Sequence, residues 1–135
     1  MVPAKVKKAF KEALKAQKAA YCPYSNYQVG AALISFRSKV FSGCNVENSS
    51  FGATICAERT AILKSVSDGH ICLEHMVVVT NEIDPAPPCG NCLQVMAEFF
   101  GPQSHVWLAN KTGIKKHYLF KQLLTHPFGP KKFKK

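Results

Sequence analysis

At 135 residues and 14.9 kDa, with 47% hydrophobic residues, the chain is long enough for one buried core and too short for two, so one domain over residues 1–135 is expected. No apolar run approaches the roughly 18 residues that span a bilayer, and the lysine-rich N-terminus lacks the apolar stretch of a signal peptide, which implies a cytoplasmic protein without a membrane partner. The formal charge of +10 sits at the two ends, with six lysines between Lys5 and Lys18 and eight between Lys111 and Lys135, and reads as solvated helix faces and a basic tail from about residue 127 rather than as a polyanion surface.

Residues 4–20 carry Val6, Ala9, Phe10, Ala13, Leu14 and Gln17 on one helical stripe, with most lysines off it, and predict an amphipathic helix packed on the core. A turn over residues 21–26 leads to a predicted strand from Gln28 to Phe36, a hairpin at Arg37–Lys39 and a second strand from Val40 to Cys44. On spacing alone, Asn45 and Glu47 read as turn formers leaving that strand. Ala57–Val66 predicts a helix stopped at Asp68-Gly69, and Glu74–Thr80 a strand whose unbroken apolar run places it inside a sheet. After a proline-dense loop over residues 81–88, Cys89–Phe99 predicts a helix. Short strands are expected at His105–Ala109 and His117–Phe120 beyond a break at Gly101-Pro102, then a helical turn at Lys121–Leu124. The order helix, two strands, helix, strand, helix, two strands implies an α/β fold, a mixed five-stranded sheet covered by helices on its faces.

Six cysteines at 22, 44, 56, 72, 89 and 92 are unevenly spaced and read as reduced thiols; Cys22, Cys44 and Cys72 are expected to be small buried residues. The histidines at 70, 75, 105, 117 and 126 show no ligand spacing and read as structural or exposed. Cys56, Cys89 and Cys92 are different, because Glu58 stands two residues after the first and the other two form Pro88-Cys89-Gly90-Asn91-Cys92. Structural zinc takes four protein ligands, whereas hydrolytic zinc takes three and leaves the fourth position for water. A Cys-x-x-Cys is also found as a redox dithiol or as half of a zinc ribbon, but redox use leaves Cys56 and Glu58 unexplained and a ribbon needs another close pair. Glu58 has a plain reading as well, a carboxylate in a helix's first turn.

A zinc ligand, one residue, glutamate, then Pro-Cys-x-x-Cys is the signature of zinc-dependent nucleobase deaminases. With Tyr21-Cys22-Pro23-Tyr24-Ser25, Gln28-Val29-Gly30-Ala31-Ala32-Leu33, Gly43-Cys44-Asn45-Val46-Glu47-Asn48 and Ile55-Cys56-Ala57-Glu58-Arg59-Thr60-Ala61, the chain resembles the small cytidine deaminases over nearly its whole length. The resemblance implies a three-layer α/β/α fold, one zinc per subunit on Cys56, Cys89 and Cys92, and Glu58 as the proton carrier. The implied activity is hydrolytic deamination of free cytidine and deoxycytidine to uridine and deoxyuridine, with release of ammonia, in pyrimidine salvage.

It further implies that Asn45 and Glu47 hold the sugar hydroxyls, that backbone groups of Ala57 and the carbonyl of Pro87 meet the base, and that Tyr27, in place of a family phenylalanine, stacks on it. Phe128 matches a tail aromatic that enters a neighbouring subunit's site, which implies a homotetramer; its other reading is a tail anchor on its own core. Arg59 matches an arginine that touches the ligand sulfurs. A second arginine usually follows the last cysteine, and Leu93 stands there instead, implying a more negative metal site. The competing readings are a deaminase of another aminated heterocycle or of a polynucleotide, and a zinc-stabilised binding protein without catalysis, for which Leu93 is the only hint.

Overall fold

The computed structural model describes residues 1–129, so Pro130 and residues 131–135 of the expected basic tail lie outside the described residues. The elements are α1 (Ala4–Gln17), β1 (Gly30–Ser35), β2 (Val40–Cys44), α2 (Ala57–Ser67), β3 (Leu73–Val79), α3 (Gly90–Phe99), β4 (Phe100–Asn110), β5 (Gly113–Leu119) and a one-turn α4 (Phe120–Leu123). The strands form one sheet in the order β2-β1-β3-β4-β5, parallel between β3 and β4 and antiparallel elsewhere.

A strand that is apolar on both faces needs cover on both, and β1 and β3 supply the two faces of the core. On one side Ala31, Leu33, Leu73, Met76 and Val78 pack with Ala61 and Ile62 of α2, Met96 of α3 and Phe120 of α4. On the other Ala32, Ile34, Val77 and Val79 pack under Val6, Ala9 and Ala13 of α1. The result is the expected mixed five-stranded sheet between helical layers. Two glycines set how closely the helices approach it. A Cβ on Gly30 would lie 2.1 Å from the carbonyl oxygen of Ala13, and one on Gly43 2.7 Å from the backbone nitrogen of Ala61, so α1 and α2 rest on bare backbone.

Several boundaries differ from the sequence expectation. Helix α1 ends at Gln17 rather than residue 20, because the amides of Ala19 and Ala20 turn back to the carbonyls three residues before them, and the Gln17 side chain bonds Gln28 O and Asn81 Oδ1. Strand β4 starts at Phe100 and runs through Gly101-Pro102, since the register between Leu73↔Phe100 and His75↔His105 leaves extra residues bulged out, where proline forfeits no ladder bond. Strand β5 starts at Gly113, four residues before the expected start; Lys115 and Lys116 hide its alternation, as on many edge strands. All six cysteines are free thiols, but Cys72 is exposed and Cys22 and Cys44 only half-buried, so the expectation of buried residues fails there. Cys72 sits just ahead of β3, where its backbone carbonyl, not its side chain, makes the contact, accepting from Phe36 N. No helix among the described residues is long and apolar enough to cross a membrane.

Candidate metal centre and active site

Strands β2 and β3 run in the same direction on either side of β1, so the loops leaving their C-terminal ends emerge at one edge of the sheet. After β2, Val46 and Ile55 exchange both backbone hydrogen bonds, and Tyr21 bonds Asn45 and Glu47, which closes the loop and delivers Cys56 beside the sheet end. Cys56 is the residue capping α2, and Cys89 caps α3, both with extended backbone; Cys92 lies in the first turn of α3. Two helix N-termini, with their unpaired amides and positive dipole ends, therefore meet three sulfurs.

The three Sγ atoms lie within 4.8 Å of one another, and Cys56 and Cys89 are 3.8 Å apart. Zinc–sulfur bonds of about 2.3 Å at tetrahedral angles put sulfurs about 3.8 Å apart, so the cluster fits zinc with little adjustment. Among the described residues no fourth His, Cys, Asp or Glu joins them. The donor chemistry agrees. A hydrogen bond from the Cys92 thiol, then Arg59 and Cys89, brings the Cys56 thiol down to about 5 against the opposing effect of burial. Cys92, sharing that proton and buried, is pushed up. Three sulfurs gathered in this way are a set that a cation can bind by displacing protons.

Arg59 approaches Cys56 Sγ at 3.3 Å through Nη2, while its Nε is buried without a hydrogen-bond partner. Leu93, at the position of the absent second arginine, is partly buried against the α2–α3 side of the core. One guanidinium thus serves the sulfurs. Glu58, the second residue of α2, is only 5% exposed, and burial, followed by the charge of Cys56, pushes its carboxyl up to about 7. A carboxyl there exchanges protons near neutral pH.

The remaining residues singled out in the sequence are placed as follows. Asn45 is buried, its Oδ1 accepting from Val29 N at 2.9 Å and its Nδ2 donating to Tyr27 O at 2.7 Å, so one donor hydrogen and one lone pair are left over. Glu47 accepts from the amides of Tyr24 and Ser25 and from the Ser25 hydroxyl, which holds its carboxyl below the usual range. Tyr27 donates through its hydroxyl to Glu82 Oε1 at 2.8 Å; burial and Glu82 push its pKa up to about 12. Ala57 is buried and Pro87 exposed. The ring of Phe128 is largely exposed, and its carbonyl accepts from Gln94 Nε2 of α3 at 2.7 Å. Sequence reasoning missed Ser25 and Glu82. Ser25 lay inside a quoted motif, but Glu82 sits 55 residues from Tyr27 in a loop with no pattern of its own.

Residues 3–108 match the family model described as the cytidine and deoxycytidylate deaminase zinc-binding region. The chain is 44% identical over 118 residues to the cytidine deaminase of Halalkalibacterium halodurans, covering 87% of this chain and 89% of that one. It is 42% identical over 123 residues to that of Sporosarcina psychrophila, covering 91% and 90%. Its fold superimposes on the crystal structure of cytidine deaminase from Burkholderia pseudomallei with a TM-score of 0.86, at 40% identity and covering 90% and 98% of the two chains. With its three sulfurs within bonding reach of one zinc ion and a buried glutamate beside them, the chain belongs to the cytidine and deoxycytidylate deaminases, a family of zinc-dependent hydrolases.

Proposed function

We propose that this chain, as a single catalytic domain, removes the amino group of free cytidine and deoxycytidine by hydrolysis, giving uridine or deoxyuridine and ammonia for pyrimidine salvage in the cytoplasm. The observation that carries it is the convergence of three thiols on a three-ligand centre beside a buried carboxyl poised near neutrality. Zinc held by Cys56, Cys89 and Cys92 supplies Lewis acidity, which acidifies water in an open site.

Glu58 moves the protons. It takes one from the attacking water, passes one to the ring nitrogen and later protonates the amine as the carbon–nitrogen bond breaks. Three thiolates and a divalent ion leave one net negative charge, which Arg59 and the two helix N-termini offset. The Ala57 amide, at the start of α2, meets the base edge, and the Pro87 carbonyl accepts from the departing amine. The spare donor and acceptor of Asn45, with the Glu47 carboxylate, take the sugar hydroxyls; a carboxylate that accepts only is suited to that task. Tyr27 stacks on the base, its ring tethered by Glu82.

The active unit in this reading is a homotetramer in which Phe128 enters a neighbour's site. Other exposed aromatic residues support it, since Tyr21, Tyr24 and Phe51 are each more than half exposed and Tyr24 and Phe51 pack edge to face. A polynucleotide substrate is disfavoured by placement: α1 with its lysines covers the sheet face opposite α2 and α3. Ammonia release from cytidine by zinc-loaded protein tests the proposal. Glu58→Gln is expected to lower turnover by at least about 100-fold with zinc still bound; undiminished turnover would overturn the assignment.

A further inference from the structure

Far from the thiols, at the opposite end of the sheet and on its α1 side, three histidines of three adjacent strands come together with Trp107. His75 pairs across the ladder with His105, and Trp107 with His117. Their rings lie nearly parallel, His117 against Trp107 at 3.9 Å between centroids and His105 against His75 at 4.8 Å. Two hydrogen bonds tie them diagonally: Trp107 Nε1 donates to His75 Nδ1 at 3.1 Å, and His105 Nδ1 meets His117 Nε2 at 2.8 Å. His75 and Trp107 form the buried pair and His117 faces outward.

The Trp107 bond fixes a tautomer. An Nδ1 that accepts from indole leaves the proton of neutral His75 on Nε2. That Nε2–H is buried in a side chain only 3% exposed and has no hydrogen-bond partner among the described residues. Glu74 Oε2 stands 3.7 Å away, beyond hydrogen-bond reach, and is already engaged by Lys5 at 3.0 Å. A buried donor without a protein partner is open to an acceptor from outside the chain, a water or a ligand. His75 lines a cavity of about 580 Å³ together with His105, His117, Trp107, Lys115 and the segment Met1–Pro3 that leads into α1.

Among the described residues, no carboxylate lines that cavity. Lys116 at its rim is paired with Asp84, but Lys115, displaced at the register shift opposite Leu108 and Ala109, is exposed and has no ion-pair partner among the described residues. The first turn of α1 holds no acidic residue, and its cap, Pro3, offers no side-chain acceptor, so its dipole end is not offset by an acid of its own. Donors and a cation outnumber the acceptors here, which is the recognition chemistry of an oxyanion, and the nearest carboxylate, Glu74, is held by Lys5. Burial, with His105 and the N-terminal amine, lowers the pKa of His117, and an anion held beside it opposes that shift.

We propose that this cavity is a second ligand site that binds a phosphate group, held by the Nε2–H of His75, the His105–His117 pair and Lys115. Inorganic phosphate and a small phosphomonoester share that chemistry, and ribose 5-phosphate separates them.

The test is titration of zinc-loaded, ¹⁵N-histidine-labelled protein with inorganic phosphate at fixed ionic strength, followed through the ring nitrogens. Saturable shifts of His75, His105 and His117 are expected, with His117 titrating at higher pH in phosphate than in chloride. Lys115→Met and His117→Asn, both at exposed positions outside the catalytic machinery, are each expected to weaken binding about tenfold and leave cytidine turnover unchanged. Tighter binding of ribose 5-phosphate would identify the ligand as a phosphomonoester, and equal binding as the free anion. Shifts that never saturate, or that survive both substitutions, would overturn the proposal. So would preferential binding of Ni²⁺ lost in the His117 variant, which would make the outer pair a metal chelate.

Discussion

The two ends of the sheet gather reactive side chains by opposite means. At the C-terminal ends of β2 and β3, thiols are presented by the first turns of two helices, so each half of the site is a short contiguous segment. At the other end, His75, His105 and His117 meet only because three strands lie in a particular register. A site built on helix starts depends on how the helices seat on the sheet, whereas one built on strands depends on the ladder itself. Damage to the two ends should therefore look different.

The largest effect expected after loss of Glu58 comes from unseating a helix. Gly43→Ala puts a methyl against Ala61 N and Thr60 Cβ, at 2.7 and 2.8 Å, and must lift α2 with Cys56 and Glu58 on it. It should cost about 1–3 kcal/mol in a urea melt and lower zinc retention in a chelator challenge, while the histidine ring signals stay in place. The converse experiment uses pH. Burial holds His75 down to about 4 from its ordinary 6.5. Between those values the unfolded chain binds a proton that the folded chain refuses, so stability falls as pH drops through that window and is fully present above about 6.5. Urea midpoints at pH 7 and pH 5 measure it, and His75→Asn, which keeps a side-chain acceptor without titrating, should flatten the dependence.

Smaller effects concern tuning. Leu93→Arg adds positive charge beside the sulfurs and should move the pH profile of deamination to lower pH and slow zinc loss; no change in either would remove Leu93 from the account of the metal's charge. The smallest is Tyr27→Phe, which frees the ring from Glu82 at a cost of about 0.5–1.5 kcal/mol, read as a several-fold rise in KM with kcat nearly kept.

Contiguity also explains what could be read in advance. The order of elements, the bounds of β2, the interior position of β3 and the cysteine cluster were legible because each is written in short contiguous segments, two of them for the cysteines. The path of β4 through Pro102 was not, since a bulge depends on the partner strand, and the early start of β5 was masked by edge lysines. Asn45 and Glu47 were read first as turn formers and then, by resemblance, as sugar ligands; each also braces backbone, at Tyr27–Val29 and at Tyr24–Ser25, and the chosen partners are not encoded locally. The histidines, separated by 30 and 12 residues, gave no spacing signal because a ladder, unlike a helix turn, has no fixed sequence interval.

The Gln94–Phe128 hydrogen bond has a consequence for handling the protein. Gln94 lies two residues after Cys92, so the helix that grips the ion also grips the C-terminal segment. Stripping the metal should loosen that anchor, and the rate at which carboxypeptidase trims the chain past Phe128 becomes a label-free gauge of how many molecules in a preparation are loaded.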